Sequence, residues 1–107
     1  MSRTLERVLE LVNRGEVLIS EHGYDELIVD DIFLSDVLAG LHEAVVVDDY
    51  PDYPKGPCVL VLQKDAAGSP IHVVWGIPRG APAPAVLVTG YRPDPLRWSE
   101  GFLRKRP

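Results

Sequence analysis

The segment PIHVVWGIPRGAPAPAVLVTGYRPDPLRW, residues 70–98, decides the fold of this chain. It contains two apolar, β-branched runs, residues 71–77 and 85–91, and the connection between them is rich in proline and glycine. Such runs on either side of a rigid connection are typical of two antiparallel strands. We therefore expect the rest of the chain to pack against this strand pair.

Alternation along these two strands predicts which side chains share a face of the sheet. His72 is expected on one face of the first strand, and Val73 and Trp75 on the other. In the second strand, Leu87 is expected on the face opposite Val86 and Val88. The residues that we predict to contribute to the core are Leu60, Val73, Trp75, Val86 and Val88.

Polar residues lie at or near the ends of these two apolar strands. They are His72, Thr89, Tyr91 and Arg92. An imidazole and a phenol can take part in proton transfer, and a guanidinium binds anions. The strand ends are therefore a candidate site, although the residues alone do not specify a reaction.

The elements before residues 70–98 can be read from the spacing of their apolar residues. Helical spacing predicts helices over residues 3–13, 19–27 and 30–40. Two further β-branched runs predict strands over residues 44–48 and 58–64. Trp98 and Phe102, four residues apart, predict a last helical turn. Helices followed by an antiparallel meander indicate an α+β fold, with N-terminal helices packed on a four-stranded antiparallel sheet.

Length and composition indicate an ordinary globular protein. A chain of 107 residues with 46% hydrophobic and 25% charged residues is expected to form a single domain over residues 1–107. No apolar run approaches membrane-spanning length, so we expect no membrane association. The single cysteine, Cys58, rules out an intramolecular disulfide and favours a cytoplasmic location. His22, His42 and His72 lack metal-ligand spacing and no phosphate-binding loop is present, so neither a metal nor another cofactor is predicted.

Charge is distributed unevenly along the chain. Residues 1–52 contain thirteen acidic and three basic residues, a net charge of −10, whereas residues 53–107 contain three acidic and eight basic residues, a net charge of +5. Such asymmetry is a feature of proteins that present one face to a polyanion. It is equally expected if an acidic helical layer and a basic sheet attract each other within one fold.

Four segments carry a resemblance to a known family. They are SEHGYDEL (residues 20–27), DDYPDYPKGP (residues 48–57), GSPIHVVWG (residues 68–76) and VTGYRPDPLRW (residues 88–98). Together they resemble DUF4258, a family of small bacterial domains of unknown function, over roughly residues 18–104. That family is similar to RelE-like toxins and to the wider barnase–EndoU–colicin–RelE class of metal-independent ribonuclease folds. The resemblance implies helices packed on an antiparallel sheet, as the spacing does.

The resemblance also implies roles for individual residues. The matching positions are His22 on the second predicted helix and His72, Thr89 and Tyr91 on the strands, and they are the predicted catalytic residues. The family has an arginine four residues after the helix histidine, where this chain has Glu26.

Two interpretations of function remain open at the level of sequence. In the first, the chain is a RelE-like, metal-independent ribonuclease in which His22 and His72 act as base and acid. Such an enzyme also needs cations for the charged transition state, and the candidates are Arg92, Lys55 and Arg104. It requires both histidines to face one cleft.

The alternative is a non-catalytic relative of the same fold that binds a partner protein. The tyrosine- and proline-rich connection over residues 50–57 is the predicted contact surface or dimer seam. RNA, an antitoxin-like protein and a second copy of the chain are therefore the predicted partners.

Overall fold

In a computed structural model, which describes residues 2–107, three helices pack against one face of a five-stranded sheet. The helices are α1 (Arg3–Asn13), α2 (Glu21–Val29) and α3 (Leu34–Gly40), followed by a 3₁₀ turn (Leu41–Glu43). The strands of the sheet are β1 (Val17–Ile19), β2 (Val45–Tyr50), β3 (Cys58–Lys64), β4 (Pro70–Gly76) and β5 (Ala85–Tyr91). A separate C-terminal hairpin consists of β6 (Trp98–Ser99) and β7 (Arg104–Lys105).

The sheet is mixed, not purely antiparallel as the sequence predicted. Its order is β1-β5-β4-β3-β2, in which β2 to β5 form the predicted antiparallel meander and β1 lies parallel to β5. The extra strand arises because α2 begins only after Ser20, whose hydroxyl caps the helix by accepting from Gly23 N–H. The three apolar residues before that cap are extended and pair with β5.

The predicted helices are present, with shifted boundaries for the second and third. Helix α1 matches its prediction and is capped by Ser2, whose hydroxyl accepts from Leu5 N–H. Helix α2 needs a glycine at position 23, because a Cβ there would lie 2.7 Å from the carbonyl oxygen of Leu87. The chain after α2 is not helical, because Asp31 has a left-handed backbone (φ 55°) and Phe33 is extended. Helix α3 therefore begins at Leu34 instead of residue 30.

A bulge in β5 changes which of its residues face the core. Trp75 pairs with Leu87 and Val74 pairs with Thr89, so Val88 is the extra residue. Trp75 and Val73 are fully buried beneath the helices, and Leu60 is buried on the opposite face, which confirms three of the predicted core residues.

The prediction was wrong for the other two core residues. Val86 is only half-buried and Val88 is 38% exposed, because Ala85 and Leu87 are the residues of β5 that point toward the helices.

The C-terminal segment forms a hairpin where a helical turn was predicted. Glu100, Gly101 and Phe102 all have positive φ angles, 51°, 68° and 70°, which no helix accommodates. They form the turn between β6 and β7. The hairpin contacts the sheet face that the helices leave uncovered, through His72. No helix within residues 2–107 is long and apolar enough to cross a membrane.

The burial of Trp75 leads to a test of the fold. Replacing Trp75 by alanine removes the largest fully buried side chain, so we expect the free energy of unfolding to fall by about 3–5 kcal/mol. Urea denaturation followed by circular dichroism measures this change. The control, Val88→Ala, removes a partly exposed side chain and should cost less than about 1 kcal/mol. Equal losses for the two variants would contradict the assignment of faces.

Candidate functional site

The candidate site lies where β4 and β5 meet the C-terminal hairpin. His72, on β4, is fully buried between two aromatic rings. Its ring centroid is 5.4 Å from that of Tyr91 and 4.5 Å from that of Trp98, with interplanar angles of 76° and 88°. Both contacts are edge-to-face, a favourable arrangement for aromatic rings. Folding of the hairpin over the sheet therefore creates this cluster.

Hydrogen bonds identify the tautomer of neutral His72. Its Nε2 lies 2.9 Å from the carbonyl oxygen of Phe102, and its Nδ1 lies 3.3 Å from the hydroxyl of Tyr91. A carbonyl oxygen only accepts, so we assign the ring proton to Nε2, which leaves Nδ1 to accept from the hydroxyl. Burial lowers the pKa of His72, although the bond to Phe102 opposes that shift. His72 is therefore neutral near pH 7, and it positions the Tyr91 hydroxyl.

An open pocket of about 370 Å³ adjoins this cluster. Its lining residues are Tyr91, Arg92, Asp94, Arg97, Trp98 and Lys105, and we call it the C-terminal pocket. Arg97 and Lys105 are exposed, and neither forms an ion pair within residues 2–107. The only carboxylate of the lining, that of Asp94, accepts from the Leu96 N–H. The pocket thus combines two aromatic rings with a net positive charge.

Arg92 joins three parts of the fold. Its side chain donates to the carbonyl oxygens of Asp30 and Asp31 at the end of α2, and its backbone N–H donates to the Asp30 carboxylate at 2.8 Å. Its guanidinium also pairs with Asp65, in the turn between β3 and β4, at 3.0 Å. Amide donation from Ser69, followed by the Arg92 guanidinium, holds the pKa of Asp65 below its usual range. Most of the donor capacity of Arg92 is therefore already used within the protein.

The two histidines predicted to act together lie in different layers of the molecule. Helix α2, which carries His22, packs on the face of β5 that contains Leu87 and Gly90. His72 is on the opposite face, since its neighbours along β4, Ile71 and Val73, point to the helical core. His22 is exposed on α2, so the structure does not bring it to the cluster around His72.

The remaining predicted residues are also dispersed. Thr89, paired with Val74, is on the same face of the sheet as His72 and Tyr91, but it does not line the C-terminal pocket. Arg104 is exposed and pairs with Glu100 at 3.3 Å. Lys55 belongs to a second concavity described below. Of the seven predicted site residues, the structure brings His72, Tyr91 and Arg92 together around the C-terminal pocket, and the catalytic and binding roles of all seven stay predictions.

Sequence reasoning missed Arg97, Trp98 and Lys105 as site residues. Trp98 is the last residue of the segment VTGYRPDPLRW that carries the family resemblance, and Lys105 lies between two arginines near the C-terminus, so both had a visible signal. The predicted helical turn at residues 98–102 did not place Arg97, Trp98 and Lys105 near Tyr91.

The tyrosine-rich connection between β2 and β3 lines a different, apolar groove of about 540 Å³. Tyr50 and Tyr53, which are 47% and 50% exposed, line it together with Lys55, Val86 and Val88. Cys58 also lines this groove, and burial, followed by the charge of Asp49, raises the pKa of its thiol. The groove is a candidate contact surface. Within residues 2–107, no three histidine, cysteine or acidic side chains are grouped so that they could hold a metal.

The fold and this site define an α+β domain with an aromatic, basic pocket at its C-terminal hairpin. The model of the family "Domain of unknown function (DUF4258)" matches residues 19–92, which span every element from the end of β1 to the end of β5. The chain therefore belongs to the DUF4258 family. No curated protein and no solved structure shows significant similarity to it. Trp98, Arg97 and Lys105 lie beyond the matched residues.

Burial of neutral His72 predicts a pH dependence of stability. Because its pKa is lowered in the folded state, the unfolded chain binds more protons as the pH falls below about 6.5. The free energy of unfolding should therefore decrease from pH 7 toward pH 5, and it should decrease less in a His72→Gln variant. Urea unfolding at several pH values measures both slopes. The exposed histidines 22 and 42 are common to both proteins. Equal pH dependence of the free energy of unfolding in the wild type and the variant would show that the pKa of His72 is not lowered by folding.

Proposed function

We propose that this chain binds single-stranded RNA in the C-terminal pocket. The observation that carries the proposal is the placement of Tyr91 and Trp98 beside Arg97 and Lys105, two cations that form no ion pair within residues 2–107. Aromatic rings on which bases stack, next to cations that follow the phosphates, are the usual elements of single-strand recognition.

The distribution of charge supports RNA binding at the C-terminal hairpin. The acidic half of the chain supplies α2, α3 and the edge strand β2, whereas the basic half supplies the C-terminal hairpin. Arg106 extends the basic surface, with its side chain anchored on the carbonyl oxygen of Pro95. A polyanion is therefore attracted to the hairpin and repelled by the helical layer, although the net charge of the protein is −5.

The rigidity of the pocket supports binding of a planar ligand. Tyr91 is held through its hydroxyl by His72, and Trp98 packs its ring against the same imidazole. Because both rings are already ordered, little side-chain entropy remains to be lost when a base stacks on them.

Cleavage of the bound RNA is a second candidate function, favoured by the hydrogen bond between Tyr91 and His72. That bond leaves the phenol oxygen free to accept a proton from a ribose hydroxyl while its own proton moves to Nδ1. The relationship to RelE-like toxins that the sequence resemblance implies points in the same direction. Against it, burial raises the pKa of Tyr91 and lowers that of His72, and no histidine within residues 2–107 lines the C-terminal pocket. Binding without cleavage is therefore the better-supported function.

RNA binding can be measured by fluorescence anisotropy with a labelled single-stranded oligonucleotide. A variant with both Arg97→Ala and Lys105→Ala should bind about tenfold more weakly at low salt, and its slope of log Kd against log salt should fall by roughly 1 to 2, because fewer counterions are released. The control, Arg3→Ala, removes an exposed charge from α1 and should leave both quantities unchanged. Wild-type protein that fails to bind RNA even at low salt would exclude the proposal.

Cleavage is tested separately, with a long RNA and excess EDTA. If the protein cuts, Tyr91→Phe should lower the rate by about 100-fold or more while RNA affinity changes little, because the variant loses only the hydroxyl. His22→Ala is the matched control and should cut at the wild-type rate, since His22 lies on α2. A wild-type protein that binds but does not cut RNA would eliminate the second candidate and leave the first intact.

A further inference from the structure

Helix α2 is apolar on two sides, and only one of them is covered. Its inner side packs on β5, where Gly23 meets Leu87 and Leu27 meets Gly90. Its outer side carries Tyr24, Ile28 and Val29, which are 55%, 62% and 75% exposed. A surface helix of a monomeric domain normally has polar residues on its outer side. The outer side of α2 therefore has the composition of a helix that packs against something else.

A fourth large apolar side chain is exposed shortly after the end of α2. Phe33, at the start of α3, is 67% exposed. Tyr24 and Ile28 are four residues apart and so lie next to each other on the helix surface. We call these residues, Tyr24, Ile28, Val29 and Phe33, the α2–α3 patch. Clusters of large exposed apolar side chains mark interaction sites more often than single ones do.

The chain around this patch is acidic and contains no lysine or arginine. Between residues 20 and 40, which include α2 and α3, there are six acidic residues: Glu21, Asp25, Glu26, Asp30, Asp31 and Asp36. Within residues 2–107 none of these six forms an ion pair. Arg92 reaches the end of α2, where its guanidinium donates to the backbone carbonyls of Asp30 and Asp31 and its backbone N–H donates to the Asp30 carboxylate. Glu21 and Asp25 lie on the outer side of α2, at helical spacing from Tyr24 and Ile28.

We propose that the α2–α3 patch binds a cationic amphipathic segment of a partner protein. A row of apolar side chains on that segment would cover Tyr24, Ile28 and Phe33, and lysines or arginines beside the row would meet Glu21 and Asp25. An amphipathic helix presents this combination of an apolar row with flanking charge. The acidic surroundings repel nucleic acids and anionic membranes, so charge selects a basic polypeptide. This surface is separate from the C-terminal pocket and does not depend on RNA binding.

The probe for the test is a synthetic, fluorescently labelled helix of about 18 residues with leucine on one face and arginine on the other. Anisotropy titration against the full-length protein should show saturable binding that weakens as salt is raised. Ile28→Asp should weaken binding by at least about tenfold, because it places a charge in the centre of the apolar surface. Asp25→Lys should weaken it and also reduce its dependence on salt.

Two controls separate docking from non-specific attraction between opposite charges. Leu96→Asp changes an equally apolar, 83% exposed residue outside the patch and should leave peptide affinity unchanged. A peptide of identical composition, scrambled so that no apolar face remains, should bind at least about tenfold more weakly than the amphipathic one. Circular dichroism of each variant confirms that it is folded.

Three results would overturn the proposal. The first is equal binding of the two peptides, and the second is equal weakening by Ile28→Asp and Leu96→Asp. The third is sedimentation equilibrium showing that the wild-type protein self-associates and that Ile28→Asp abolishes this. In that case the patch would be occupied by a second copy of the chain.

Discussion

The burial of β4 on both faces is the constraint on which the rest of the structure depends. Ile71, Val73 and Trp75 on one face require an apolar cover, which the helices supply. His72 on the other face is a polar side chain in a fully buried position, and such a side chain needs hydrogen-bond partners. Tyr91 and the carbonyl of Phe102 provide them, so the C-terminal hairpin has a defined place on the sheet. The helical core and the candidate site are thus the two sides of one strand.

The bulge at Val88 allows β5 to contribute side chains both to the helical core and to the candidate site. Strict alternation would place Leu87 and Tyr91 on the same face, but Leu87 is needed in the core and Tyr91 beside His72. The extra residue, Val88, shifts the alternation of side chains by one position, so Leu87 faces the core and Tyr91 faces His72. It also brings Gly90 to the helical face, where the absence of a side chain makes room for Leu27.

Most of the fold could be predicted from the sequence, because long runs with a clear period specify their own structure. Strands β2 to β5 and helix α1 are examples. Strand β1 could not be predicted from periodicity. Three apolar residues beside a helix fit the period of a helix as well as that of a strand, and only pairing with β5 makes them extended. Which sheet face Val86 and Val88 occupy depends on the bulge in β5, and no residue type in the sequence indicates that bulge. At the site, His72 and Tyr91 were predictable from their places on apolar strands. The approach of Arg97, Trp98 and Lys105 depended on a turn of three consecutive left-handed residues, of which only Gly101 is a glycine.

The separation of acidic and basic residues has a kinetic consequence. With the helical layer negative and the C-terminal hairpin positive, the molecule has a permanent dipole across the thickness of the sheet. A charged partner that diffuses toward it exerts a torque before contact, and this torque turns the hairpin toward polyanions and the helices toward polycations. Two partners of opposite charge would therefore approach opposite ends of the molecule without competing for orientation. Because the Debye length is about 8 Å at physiological ionic strength, this alignment acts only over the last stage of an encounter.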